Sequence, residues 1–172
     1  DNGWEFSYVD AAGIEQSKVE NKSLAHGELR WDVLILPGVE TITPQMLTRI
    51  TEFARAGGCV ILLEALPKNT PSEAVESAVA QMVGDKTLTP AVYYEPTFNA
   101  RLLNYLLEGV LDRDIVLDSY AGVLHSHKRI GGRNVYFIVN DTNAPKTVKA
   151  NFPGAKSLEG WNPQTGEVKP LE

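Results

Sequence analysis

Few side chains in this 172-residue sequence combine reactivity with a spacing that would let them act together. Glu40 and Glu64 each follow an apolar run, 33–36 and 59–63, that has the composition of a buried strand. Carboxylates about 5 to 9 Å apart can act as general acid and base in glycosidic cleavage, and ligands bind open α/β sheets at the carboxyl ends of their strands. No glycine-rich phosphate fingerprint accompanies this pair, and many such sheets carry loop acids with no catalytic role.

His125 and His127 lie two apart on a segment of strand-like pattern, so their side chains share a face and could supply two metal ligands. A stable site needs a third and a fourth. The remaining histidine, His26, precedes Glu28 far upstream, no acidic residue lies between Asp118 and Asp141, and Arg129 continues the same face. A cation there disfavours Zn²⁺. Cys59, the single cysteine, could be a nucleophile, but a nucleophile elbow follows a strand and precedes a helix. Cys59 instead opens a strand after a helix, as a buried structural cysteine would. Trp161-Asn162-Pro163-Gln164-Thr165-Gly166-Glu167 fits an anchoring tryptophan followed by a turn, with Gly166 at positive φ; a sugar-stacking tryptophan is the alternative. No catalytic, cofactor-binding or metal-binding residue is assigned from these patterns, and no cofactor is expected.

The elements that would position these residues change character near residue 115. Upstream, Trp4 to Val9 alternates like a strand, 18–21 and 28–30 are short β-like pieces, and Val33-Leu34-Ile35-Leu36 reads as the centre of a parallel sheet. Thr43-Pro44 caps a helix with Leu47, Ile50, Phe53 and Ala54 inward, and Gly57-Gly58 ends it. Cys59 to Leu63 is the next buried strand, completing a β-α-β unit. Thr70-Pro71-Ser72-Glu73 matches a capping box for a helix through Val83. The 87–94 segment is β-like, and Pro90 favours an edge position. A helix over 98–111 and a short last strand, 115–117, follow. Downstream, Gly131-Gly132 joins two strands as a two-residue hairpin turn, and 147–152 alternates. The expected fold is therefore α/β: a Rossmann-like parallel sheet of flavodoxin or glutamine-amidotransferase type with helices on both faces, over residues 1–117. A small antiparallel β module, a partial β-sandwich, is expected over 118–172.

Asp and Glu outnumber Lys and Arg by 22 to 16, and residues 1–115 carry 17 acids against 9 bases. That balance argues against a nucleic-acid partner, and no apolar run is long enough to span a membrane. The short β tail suggests a piece of a larger protein.

The strings 31–38 (WDVLILPG), 53–58 (FARAGG), 127–129 (HKR), 135–140 (VYFIVN) and 161–167, in that order, resemble the α-L-rhamnosidase-like bacterial glycoside hydrolases of family 106. The resemblance implies a catalytic (β/α)-barrel upstream and an amidotransferase-like accessory domain without its nucleophile, then β-sandwich domains. This chain would be the accessory domain with the start of the sandwich. The implied partners are the parent's other domains, with carbohydrate as a further one, and the implied location of the parent is secreted or periplasmic. The family's catalytic carboxylates belong to the barrel, so the resemblance assigns none here. Asn162 stands where related sequences often have Asp. A carbohydrate-binding module and an amidotransferase-like hydrolase domain are the alternative functions.

Overall fold

The computed structural model describes residues 3–67 and 73–171. The chain forms two compact units: one continuous, Ser7–Leu111, and one built from the segment ending at Phe6 together with everything from Asp112 onward.

In the continuous unit, α1 (Ala11–Gln16) starts where Asp10 accepts a hydrogen bond from the Gly13 N–H at 2.7 Å. Strands β1 (Lys18–Glu20), β2 (Ser23–His26) and β3 (Leu29–Trp31) form an antiparallel meander. Next come β4 (Val33–Pro37), α2 (Pro44–Arg55), β5 (Cys59–Leu63), α3 (Glu73–Gly84), β6 (Tyr93–Glu95) and α4 (Ala100–Val110). Strands β4, β5 and β6 pair in parallel, in chain order. All five residues of β5 are buried, whereas β4 alternates buried and half-buried positions. The centre of the sheet is thus β5, and β4 is an edge.

Helix α2 begins with the Thr43 hydroxyl accepting from the Met46 N–H at 3.1 Å and with proline in its first turn. It buries Met46, Ile50, Phe53 and Ala54. Of the expected stripe, Leu47 is only partly buried. The apolar side chains of α2 join those of β5 and of α3 (Val75, Val79, Met82) in the main core. Thr70, Pro71 and Ser72 of the expected capping box lie outside the described residues. Helix α4 has a strong apolar stripe, yet its only buried residue is Leu107.

The second unit contains β7 (Val116–Leu117), β8 (Val123–Ile130), β9 (Arg133–Asn140), β10 (Ala150–Asn151), β11 (Leu158–Trp161) and β12 (Val168–Leu171). All its pairings are antiparallel: β7 with β10, β8 with β9, and β11 with β12. Gly131 and Gly132 turn the β8–β9 hairpin with φ of 56° and 79°, values that side-chain-bearing residues adopt at a penalty. The core is small: Ile115, Leu117 and Val123, flanked by Tyr120, Tyr136, Val148 and Phe152.

This corrects the expectation of a Rossmann-like sheet. The described residues form short sheets, mostly antiparallel, with one parallel sheet of three strands. Residues 4–9 form no strand, and β7 pairs with β10 in the other unit instead of extending the parallel sheet. Apolar alternation sets a strand's inward face but leaves its hydrogen-bonding partner open, and here the partners lie elsewhere in the chain.

Glycine at 58 is required by packing. A Cβ there would lie 2.0 Å from the Phe53 ring, whereas one at Gly84 meets nothing within 4 Å. We expect Gly58→Ala to destabilise the chain by about 1–3 kcal/mol through overpacking. Gly84→Ala, at a helix end without positive φ, should be neutral or stabilising by up to about 1 kcal/mol. Urea unfolding of the two variants checks both.

Candidate functional site

Each parallel strand ends close to a glutamate. Gly38, just past β4, has φ 58° and donates its N–H to the Leu63 carbonyl at 2.9 Å. Glu64, just past β5, occupies the equivalent position at φ 66° and donates its N–H to the Glu95 carbonyl at 2.8 Å. Glycine adopts this conformation freely; for glutamate the same geometry is a strain of roughly 1 kcal/mol or more. The side chains of Glu40 and Glu64 are exposed, and Glu95, at the end of β6, is half-buried. A ligand crevice in an open parallel sheet forms where the strand order reverses. The order β4-β5-β6 contains no reversal, so the described strands provide no crevice of that kind beside these acids.

The tightest polar constellation lies in the second unit, around His127. Its Nδ1 is 3.2 Å from an Asp114 carboxylate oxygen, and its Nε2 is 3.1 Å from the Asn134 side-chain amide oxygen as assigned. The imidazole stacks on Tyr136, with ring centroids 4.4 Å apart and an interplanar angle of 8°. The Tyr136 hydroxyl donates to the Asp114 carbonyl at 3.2 Å, and its ring meets Phe152 edge-on at 4.9 Å. The Glu5 carboxylate accepts from the Ser126 hydroxyl at 3.3 Å and from the His127 backbone N–H at 3.1 Å. A carboxylate on Nδ1 is the arrangement that orients a catalytic imidazole. A general base also needs an available lone pair, and Nε2 is occupied whichever way the Asn134 amide is turned. The arrangement serves as a strut that ties β8 and β9 to residues 5 and 114.

Beside Glu5, the N-terminal segment is also held through Trp4 and Gly3. The Arg113 guanidinium lies 4.1 Å from the Trp4 ring and 4.9 Å from the Tyr120 ring, a geometry that favours a cation over aromatic faces. A Cβ on Gly3 would meet the Tyr120 ring at 2.1 Å.

Of the other sequence candidates, Cys59 is buried at the start of β5, and burial pushes its thiol up to about 11, so thiolate is scarce at neutral pH. His125 pairs across the hairpin with Ile138. Among the described residues no group of three or more His, Cys, Asp or Glu side chains is placed to hold a metal ion, and no helix is long and apolar enough to cross a membrane. The expected turn after Trp161 is present: the Asn162 side chain accepts from the N–H groups of Gln164 and Thr165, and Gly166 has φ 71°. Trp161 itself does not anchor a core. It is 67% exposed, and its indole N–H reaches Glu159 at 3.4 Å, because the two-stranded β11–β12 sheet offers nothing to bury it. The sequence argument missed Glu95, Asp114 and Asn134. The pairing of His127 with Tyr136, and so the nearness of Asn134, follows from the two-glycine turn; Glu5 and Asp114 come from segments that no local pattern connects to it.

This architecture, a short parallel sheet joined in sequence to antiparallel hairpins, has the fold of a segment of the solved rhamnosidase from Novosphingobium sp. PP1Y. The match covers 95% of this chain and 17% of that one, with a TM-score of 0.73 and 19% sequence identity. Residues 1–172 match the family model described as alpha-L-rhamnosidase, and the chain belongs to that family, glycoside hydrolase family 106. A curated protein of Formosa agariphila, named "Putative beta-glucuronidase", is 26% identical over 145 residues, which make up 81% of this chain and 12% of that protein.

Burial, and secondarily the charge of Asp114, raise the Tyr136 hydroxyl above its ordinary value of 10.0. The folded state then holds this proton more tightly than the unfolded chain does, so stability falls as pH rises through 10 and beyond. We expect the melting temperature to drop less steeply above pH 10 in Tyr136→Phe than in the parent sequence, with the two slopes equal below pH 9.

Proposed function

We propose that this chain is a noncatalytic accessory domain of an α-L-rhamnosidase-like glycoside hydrolase, supporting the catalytic barrel of a longer polypeptide during hydrolysis of plant-type glycans. Its partners are the other domains of that polypeptide, and the whole is secreted or periplasmic. The observation that carries this reading is the carboxyl edge of the parallel sheet. Glu40, Glu64 and Glu95 lie at or past the ends of strands in unbroken order, and among the described strands no reversal of order supplies the kind of crevice in which two carboxylates could flank a sugar ring. The His127–Asp114 pair supports it too, since both imidazole nitrogens are engaged. The share of the relatives that the chain spans is consistent with a supporting role.

We expect the isolated chain to turn over 4-nitrophenyl α-L-rhamnoside no faster than buffer, and Glu64→Gln to make no difference. Turnover above background that disappears in Glu64→Gln would overturn the proposal.

The exposure of Trp161 favours a second reading, in which the β11–β12 hairpin presents a platform for a sugar ring. On the accessory reading, titrating the chain with L-rhamnose leaves its tryptophan fluorescence without a saturable change. A saturable change that is absent in Trp161→Ala would instead establish the platform.

A further inference from the structure

The β1–β2–β3 meander has two unlike faces. The register sets Val19 opposite Leu24, Leu24 opposite Trp31 and His26 opposite Leu29, so these five share one face, while Lys18, Glu20, Ala25 and Arg30 lie on the other. Arg30 is held there by Glu20 at 3.3 Å. On the first face Leu24 is fully buried in the core, whereas the end nearer the β2–β3 turn opens into a cleft of about 450 Å³ lined by Tyr8, Val9, Asp10, His26, Leu29 and Trp31 around Gly13. That volume suits a small ligand, and every one of these residues belongs to the continuous unit. A Cβ on Gly13 would lie 2.8 Å from Val9 Cγ2 and 3.0 Å from Asp10 Oδ1, so glycine in α1 is what lets residues 9 and 10 form a wall of the cleft. The lining is electron-rich: it holds two aromatic rings and a carboxylate, and no lysine or arginine. The Trp31 indole N–H, the donor that ring could offer a hydroxyl-bearing ligand, is already given to the Ser7 hydroxyl at 2.7 Å. Asp10 Oδ1 accepts from the Gly13 N–H, but neither the second carboxylate oxygen nor the His26 ring has a hydrogen bond among the described residues. Tyr8 is 92% exposed, so the core gains little from an aromatic ring there.

We propose that this cleft binds a small organic cation, an alkylammonium group that takes Asp10 as its counter-charge and rests its aliphatic stem against Val9 and Leu29. A cation is attracted to the faces of tryptophan and tyrosine, and the lining contains both. Asp10 adds a full negative charge, and the basic side chains of the meander, Lys18 and Arg30, lie on its opposite face. An anion would meet the same carboxylate with no lysine or arginine to offset it. A neutral ligand of the same shape gains from neither the counter-charge nor the cation–π attraction. The proposal goes beyond the accessory-domain reading and leaves it unchanged, since neither the carboxyl edge of the parallel sheet nor the β11–β12 hairpin contributes a residue.

The test is a titration of the nitrogen-15-labelled chain with n-butylammonium chloride at pH 8, followed through the Trp31 indole N–H resonance, which is identified by its loss in Trp31→Phe. A saturable shift is expected there and none at the Trp161 indole. The alcohol n-butanol, of the same length but uncharged, should bind at least about tenfold more weakly. Asp10→Asn isolates the charge, because asparagine caps a helix as well as aspartate does: the melting temperature should hold while the affinity for n-butylammonium falls about tenfold. Tyr8→Ala, at an exposed position, should lower that affinity about threefold. The blocked amino acid Nα-acetyl-lysine methylamide, which carries the same group on a peptide, should bind less tightly. Tighter binding of it than of n-butylammonium would overturn the assignment to a small ligand in favour of a lysine side chain of another protein segment. Absence of a saturable shift, equal binding of n-butanol, or an unchanged affinity in Asp10→Asn overturns the proposal outright.

Discussion

The structure of the larger unit depends on the burial of β5 on both faces. Cys59 through Leu63 are each less than 5% exposed, which requires parallel partners on both edges and apolar cover above and below. That one constraint fixes the register of β4 and β6, seats the Ile50–Phe53–Ala54 side of α2, and leaves room for nothing larger than hydrogen at Gly58. At roughly 1.5–3 kcal/mol for each large apolar side chain removed from water, this strand and the residues packed on it form the greatest single source of stability in the unit. Just past its carboxyl end the backbone departs from relaxed geometry at Glu64, as it also does at Asn21 and Lys22.

The smaller unit solves a different problem. Three buried apolar residues cannot hold six short strands, and polar and aromatic contacts supplement them. His127 is fixed at both nitrogens and stacked on Tyr136; Tyr136 reaches the Asp114 carbonyl; Arg113 lies over two aromatic rings. Geometry that would orient a catalytic imidazole elsewhere serves here to join segments distant in sequence. Which role such a pair plays is decided by whether the second nitrogen faces a cavity or a partner.

How far the sequence could be followed depended on whether the relevant signal was local. Thr43-Pro44 at the start of α2, Gly131-Gly132 in the hairpin and the Asn162 turn each act through neighbours a few residues away, and all are found where their chemistry requires. The family membership was likewise legible, from five ordered strings. The sheet was not. Residues 4–9 alternate like a strand but Trp4 meets Arg113, Glu5 accepts from the β8 backbone and Phe6 and Tyr8 are exposed, and the 116–117 strand finds its partner at 150–151. The overestimate of the parallel sheet, and with it the Rossmann-like assignment, came from assuming that sequential apolar runs must pair with one another. Trp161 failed for a related reason: a large aromatic residue is buried only if a second layer is present to receive it.

The hydrogen bonds from Ser126 and His127 to Glu5 join residues 121 and 122 positions apart, with a continuous folding unit between them in sequence. During synthesis, the first segment of the discontinuous unit leaves the ribosome long before the strands that will hold it. At about 5–20 residues per second the wait is on the order of ten seconds, ample time for the intervening unit to fold first. Glu5 meets its partners on β8 only when residues 126 and 127 have emerged. A ribosome pausing before residue 126 would therefore hold the intervening unit complete while Glu5 still lacked its partners.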